Sequence, residues 1–184
     1  MDEFWVFGYG SLMWNPGFVS ERRSHGRLTG YHRSLCVYSH VYRGTSEKPG
    51  LVLGLDRGGY CEGVAFAVSM KRQDDVMQYL RERELVTGVY RELVLPVSLE
   101  NGPIVPAVTY VVDLAHSQYA GNLDIETSAR LTGSAVGQAG SNRDYVNNTL
   151  LHLKQMGIED ERLEAIADAV ARQGQSMHPT ARRF

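Results

Sequence analysis

Cysteine is scarce in this chain: Cys36 and Cys61 are the two it has in 184 residues. Both lie in apolar, strand-like segments with no C-x-x-C spacing and no histidine at ligand distance in sequence. That excludes a disulfide framework and reads as two small core residues in a reducing compartment. Long apolar runs are missing as well. None approaches the ~18 residues a membrane span requires, and the N-terminus has no basic segment leading into an apolar one. The sequence therefore predicts a cytoplasmic protein with no membrane partner. An excess of positive charge is also lacking, since 19 Lys and Arg face 21 Asp and Glu for a net charge of -2. A nucleic-acid partner would normally demand a basic face, so that class is set aside. The one basic stretch, Arg22, Arg23, His25 and Arg27, reads as a solvated polar connection. No H-E-x-x-H or related constellation reads as a metal site.

What is present is an ordinary globular composition, 43% hydrophobic and 22% charged, and the chain reads as one domain over residues 1–184, with a tail at 175–184 that is expected to fray. Segments 4–7, 28–38, 51–56, 60–68, 89–98 and 104–112 are rich in Val, Leu, Tyr and Phe and read as strands. Gly58-Gly59 and Asn101-Gly102 read as hairpin turns between neighbouring pairs. Residues 70–85 have helix-forming composition, with Ser69 as N-cap and Gly88 just past the end. Three more helices are expected at 125–135, 142–156 and 160–173, the second entered by Ser141 and Asp144 at capping-box spacing and the third ending before Gly174. The fold class is α+β: an antiparallel sheet or small barrel with one inserted helix and helices packed outside.

Immediately after the first strand comes G-Y-G-S-L-M-W, Gly8 to Trp14. A dinucleotide fingerprint would need glycine where Met13 stands, a phosphate-binding loop would need G-K-S/T, and a hydrolase elbow would need glycines where Tyr9 and Met13 flank Ser11. What remains is a strand-to-turn loop whose successive backbone N–H groups and hydroxyl form a concavity for a carboxylate or an oxyanion, or a turn that only redirects the chain.

A second feature lies on the inserted helix. At 100° per residue Glu84 falls about 20° from Met77, 40° from Leu80 and 80° from Val76, so its carboxylate sits on the apolar stripe; Glu82 points to water. An inward carboxylate is either neutralised by a partner such as Arg83 or Arg91 or is held there to move protons. Burial and the helix C-terminus both raise its pKa toward the range of a general base. A triad of Ser11, a histidine and Asp56 is an accidental pairing in a chain with six histidines. Arg43, ahead of Gly44, is either a surface arginine or a contact for a substrate carboxylate.

The G-Y-G-S-L-x-W loop, followed by Y-L-x-x-R-E at Tyr79, Leu80, Arg83 and Glu84, resembles the ChaC-like γ-glutamylcyclotransferases. The segment from Tyr42 to Leu55, then Tyr119-Ala120-Gly121 and Ser141-Asn142-Arg143-Asp144-Tyr145, fall in the family's order, so the likeness covers nearly the whole chain. The link L-V-T-G-V between Glu84 and Tyr90 is slightly longer than in the eukaryotic members. The resemblance implies a small mixed or antiparallel barrel with helices outside, and a lyase that cleaves glutathione to 5-oxoproline and cysteinylglycine without metal or cofactor. It further implies that Gly8, Tyr9, Gly10, Ser11, Leu12 and Met13 hold the γ-glutamyl group, that Glu84 is the catalytic acid/base, and that Tyr145 lines the pocket. Tyr9 and Tyr145 also read as core aromatics. Two other functions fit the same features: cyclisation of other γ-glutamyl amino acids or amines, and a non-catalytic regulator of cation transport. An inward Glu84 speaks against the second.

Overall fold

The computed structural model describes residues 2–176; positions 177–184 of the tail lie outside the described residues. Five strands form a closed barrel in the order β1-β3-β2-β4-β5. They are β1 (Glu3–Gly8), β2 (Arg22–Ser39), β3 (Gly50–Ser69), β4 (Tyr90–Leu99) and β5 (Ile104–Val112). Strand β1 runs antiparallel to β3 from Glu3↔Ser69 to Gly8↔Val64, and closes the barrel by parallel pairing with β5 at Trp5↔Ala107 and Val6↔Val108. The barrel is therefore mixed, and Asn101 (φ 53) does lie in the turn of the β4–β5 hairpin.

Gly58-Gly59 behaves differently from the hairpin expected there. Both glycines have positive φ, +100° and +64°, yet β3 continues unbroken through them. They bend one long strand where the His32 ring nitrogen meets the Gly58 carbonyl at 3.1 Å. A barrel has no free edges, so its long strands must curl, and glycine supplies the left-handed backbone of such a bend. The basic stretch is also not a loop: it begins β2, where Arg22 pairs with Glu3 at 2.6 Å and Arg27 with Glu62 at 2.7 Å. Arg27 lies over the Tyr60 ring as well. Strand geometry puts these long cations beside acids of β1 and β3, a role no sequence period announces.

The inserted helix starts with a 3-10 turn, Met70–Arg72, whose cap Ser69 accepts from the Lys71 N–H, and continues as α1 (Gln73–Glu84). Asp74 and Asp75 at its start and Arg81 and Arg83 at its end complement the helix dipole. Its inner face, Val76, Met77 and Leu80, packs with Val6, Leu12, Val68 and Tyr110 in one buried cluster. Further on lie α2 (Ile125–Ser134), a two-stranded ribbon β6 (Val136–Gly137) and β7 (Gly140–Ser141), α3 (Asn142–Gln155) and α4 (Glu161–Ser176). Asp124 caps α2 by accepting from the Thr127 N–H at 2.7 Å, and Ser141 caps α3 by accepting from the Asp144 N–H at 3.0 Å. Helix α4 runs through Gly174 instead of stopping before it; its apolar residues Leu163, Ile166, Ala169 and Val170 are buried, and such packing outweighs glycine's weak propensity near a helix end.

The chain divides into two compact units. The first joins Met1–Ser34 to Leu53–Tyr119, and the second joins Leu35–Val52 to the chain from Ala120 onward. The first contains β1, β4, β5 and α1, and the second contains α2, α3, α4 and the short ribbon. No helix among the described residues is long and apolar enough to cross a membrane.

Candidate active site

In the first unit the Gly8 to Met13 loop leaves β1 and enters a 3-10 turn, Ser11–Met13. Its side chains divide sharply. Tyr9, Leu12 and Met13 are buried, Leu12 within the cluster beneath α1, whereas Ser11 is exposed. The loop therefore offers a ligand its backbone and one hydroxyl, while its apolar side chains anchor it. The first bond of the turn runs from the Met13 N–H to the Gly10 carbonyl, 2.9 Å. The N–H groups of Ser11 and Leu12 precede it and have no acceptor within the turn, which is how a concavity for negative charge arises. A Cβ on Gly8 would lie 3.0 Å from Leu12 Cβ and 3.3 Å from the Met13 nitrogen, so the turn folds back directly over Gly8. Buried Arg33 fixes the loop from below, donating from Nε to the Tyr9 carbonyl at 2.7 Å and from Nη2 to the Glu62 carbonyl at 2.6 Å.

Glu84 is the last residue of α1, one turn beyond Leu80. Its side chain is 20% exposed and lies 3.2 Å, Oε1 to Nε, from Arg83. Burial pushes the Glu84 carboxyl above the ordinary carboxylate range, against the Arg83 charge, which pulls it down. The two readings of this carboxylate thus meet in one geometry. It has an arginine partner, and desolvation still dominates, leaving a carboxylate that takes up a proton more readily than a solvated one.

The same guanidinium connects Glu84 to the loop. Arg83 Nη2 donates to Ser11 Oγ at 2.8 Å, and Nη1 donates to the Asn15 carbonyl at 2.8 Å and to the Tyr79 hydroxyl oxygen at 2.9 Å. Ser11 Oγ accepts from a cation, an arrangement that lowers its nucleophilicity, and Asp56 accepts from the Tyr119 hydroxyl at 2.8 Å. Both would-be triad members are engaged elsewhere. Behind Glu84, the buried Tyr110 donates to Glu92 Oε2 at 3.2 Å, and Arg81 binds Glu92 through Nε and Nη2 at 2.8 and 2.7 Å. This holds the Glu92 carboxyl below its usual range, while burial and the neighbouring carboxylates Glu92 and Glu84 push the Tyr110 phenol up.

Tyr145 belongs to the second unit, on α3, where it is half-buried and the Arg43 guanidinium lies 5.3 Å from its ring centroid. Arg43 is braced there by the Ala139 carbonyl at 2.5 Å. Its guanidinium is thus engaged within the second unit. The structure thus brings Gly8 to Met13 and Glu84 together within one unit. Arg83 makes that link and was visible in sequence only as a partner for Glu84, whereas Arg33, which holds the loop at Tyr9, carried no sequence signal.

The family model for ChaC-like proteins matches residues 4–173 of the chain. The chain belongs to that family. It is 32% identical over 166 residues to the glutathione-specific gamma-glutamylcyclotransferase of Escherichia coli (strain K12), covering 90% of this chain and 72% of that one. It is 33% identical over 172 residues to glutathione-specific gamma-glutamylcyclotransferase 1 of Mus musculus, covering 90% and 77%. In fold it matches the crystal structure of the glutathione-specific gamma-glutamyl cyclotransferase from yeast with a TM-score of 0.81 at 22% identity, over 93% of this chain and 99% of that one. Within this ChaC-like chain, both motifs that carry the likeness, the Gly8 to Trp14 loop and the helix end at Arg83-Glu84, meet at one guanidinium.

Proposed function

We propose that this protein is a glutathione-degrading γ-glutamylcyclotransferase, a lyase that forms 5-oxoproline and releases cysteinylglycine, with Glu84 as its acid/base. The observation that carries the reading is a largely buried carboxylate whose proton affinity is raised, tied through Arg83 to a loop of backbone donors. Relatives that the chain matches along 90% of its length carry the same activity in their names.

The chemistry asks little else of the protein. The α-amino nitrogen of the γ-glutamyl group attacks its own γ-carbonyl carbon, the new C–N bond closes a five-membered lactam, and the C–N bond to the cysteine nitrogen breaks. Nucleophile and electrophile share one molecule, so the protein has only to hold the folded-back conformer. At neutral pH the amine is an ammonium. Glu84 takes its proton before attack and returns one to the departing cysteine nitrogen. A carboxyl raised by burial suits both steps, because it accepts the proton more readily and yields it in turn. Beside Gly8 and Gly10, the N–H groups of Ser11 and Leu12 contribute the concavity that takes the α-carboxylate or the oxyanion, and the side chains of Tyr9, Leu12 and Met13 anchor it. The chain works as one domain in the cytoplasm, where glutathione is reduced and where its two free buried cysteines, Cys36 and Cys61, persist as thiols.

The test is incubation of the purified protein with reduced glutathione and, separately, with γ-glutamyl-alanine, following 5-oxoproline by mass-resolved chromatography. Oxoproline from glutathione alone, lost in Glu84→Gln, is the expected result. Release from the dipeptide moves the substrate to other γ-glutamyl compounds, and an active Glu84→Gln removes Glu84 from the chemistry.

A further inference from the structure

We infer that Arg83 is a positioning residue with two separable roles: its planar fork fixes the Gly8 to Met13 loop against α1, and its charge is the counter-ion of the Glu84 carboxylate. This rests on the reading of Glu84 as the base.

The fork role follows from what each nitrogen reaches. Nη1 meets the Asn15 carbonyl and the Tyr79 hydroxyl, and lies 3.5 Å from the Pro16 carbonyl, while Nη2 meets Ser11 Oγ. Acceptors from both ends of the 3-10 turn and from the preceding turn of α1 thus converge on one rigid plane. A lysine ammonium is a point charge on a flexible stem and cannot span them together. The charge role follows from the opposite end of the group. Successive residues on a helix do not face each other, yet Nε sits 3.2 Å from Glu84 Oε1 at the end of α1. The contact exists because the outer nitrogens are anchored on the loop, which turns the root of the guanidinium back toward Glu84. Both side chains are about four-fifths shielded, 22% and 20% exposed, so water screens the pair weakly.

The other groups around Glu84 do not duplicate that charge. From β5 the Tyr110 phenol feels the Glu84 charge, but its hydroxyl is directed to Glu92 of β4, itself paired with Arg81. Among the described residues, Arg83 is the cation acting on Glu84, and it opposes the rise that burial causes.

The experiment compares the full chain with Arg83→Met, Arg83→Lys and Tyr79→Phe. The Glu84 carboxyl is titrated by carbon-13 NMR in the free protein, and KM and kcat for 5-oxoproline release from glutathione are measured against pH. Arg83→Met is expected to move the Glu84 midpoint and the acid limb of the rate profile to higher pH, and to raise KM roughly tenfold or more as the loop loosens. Arg83→Lys keeps the midpoint near that of the native protein while KM stays raised. Tyr79→Phe, which removes one acceptor and keeps the charge, raises KM modestly without moving the midpoint, and it tests the fork if Arg83→Met does not fold. An unmoved midpoint in Arg83→Met, or its shift in Arg83→Lys to the same extent as in Arg83→Met, overturns the charge role. A native KM in Arg83→Lys overturns the fork. If the native protein releases no oxoproline, the proposed function fails, and the NMR midpoints still decide whether Arg83 governs Glu84.

Discussion

Gly17 and Tyr79 stand so close that a Cβ on Gly17 would lie 1.9 Å from the Tyr79 hydroxyl oxygen. Gly17 follows the loop that Arg83 binds, and Tyr79 supplies one of the acceptors of that arginine, so the absence of one methyl group lets loop and helix close on each other.

Gly17→Ala is therefore expected to act twice. Its backbone has φ +77°, which alanine adopts only with strain, and the added carbon must turn the Tyr79 ring away. The expected cost is about 1–3 kcal/mol of stability, together with a raised KM, read by urea unfolding and by oxoproline release.

Glu84→Gln separates stability from activity. A carboxyl whose folded pKa lies above its unfolded value contributes stability at acid pH that is lost as pH rises through the folded value. The variant is therefore expected to lose turnover yet match or exceed the native protein in resistance to urea at neutral pH. That advantage disappears below the ordinary carboxylate range. A variant less stable at neutral than at acid pH, relative to native, contradicts the assigned direction.

Glu92→Gln should show the reverse sign. Arg81 holds the Glu92 carboxyl low, so the pair contributes stability above the unfolded carboxylate range, lost as pH falls through the folded value. Arg81 is more than half exposed, so solvent screens the pair and the expected loss at neutral pH is correspondingly small. It should vanish in acid, as followed by thermal unfolding across pH.

Asn142→Ala tests the second unit. The Asn142 side chain is fully buried and mimics a strand neighbour: Oδ1 accepts from the Leu51 N–H at 2.7 Å and Nδ2 donates to the Leu51 carbonyl at 2.7 Å. Alanine strands both backbone groups away from water, for roughly 2–4 kcal/mol by urea unfolding. Asn142→Asp keeps the acceptor and is expected to fail as well, because the Leu51 carbonyl then faces a carboxylate.

Much of this architecture was legible along the chain. The period of α1, the caps at Ser69 and Ser141 and the Asn101-Gly102 turn are local events, set by residues within four positions of one another. The inward Glu84 was legible for the same reason, since a helix face is fixed by spacing alone. The bend at Gly58-Gly59 was not, because a glycine pair serves a hairpin and a curled barrel strand alike, and the neighbouring strand decides between them.

By itself, then, the sequence determined the four main helices and most of the strand positions, the loop at Gly8 to Met13 and the face on which Glu84 falls. Tertiary structure decided what those residues became. It joined β1 to β5 in parallel across 102 positions of chain, from Trp5 to Ala107. It also brought Arg83 to Ser11, 72 positions away, in a bond of 2.8 Å. Such meetings depend on how the whole barrel closes, and long-range closure leaves no period in the chain for local propensity to read.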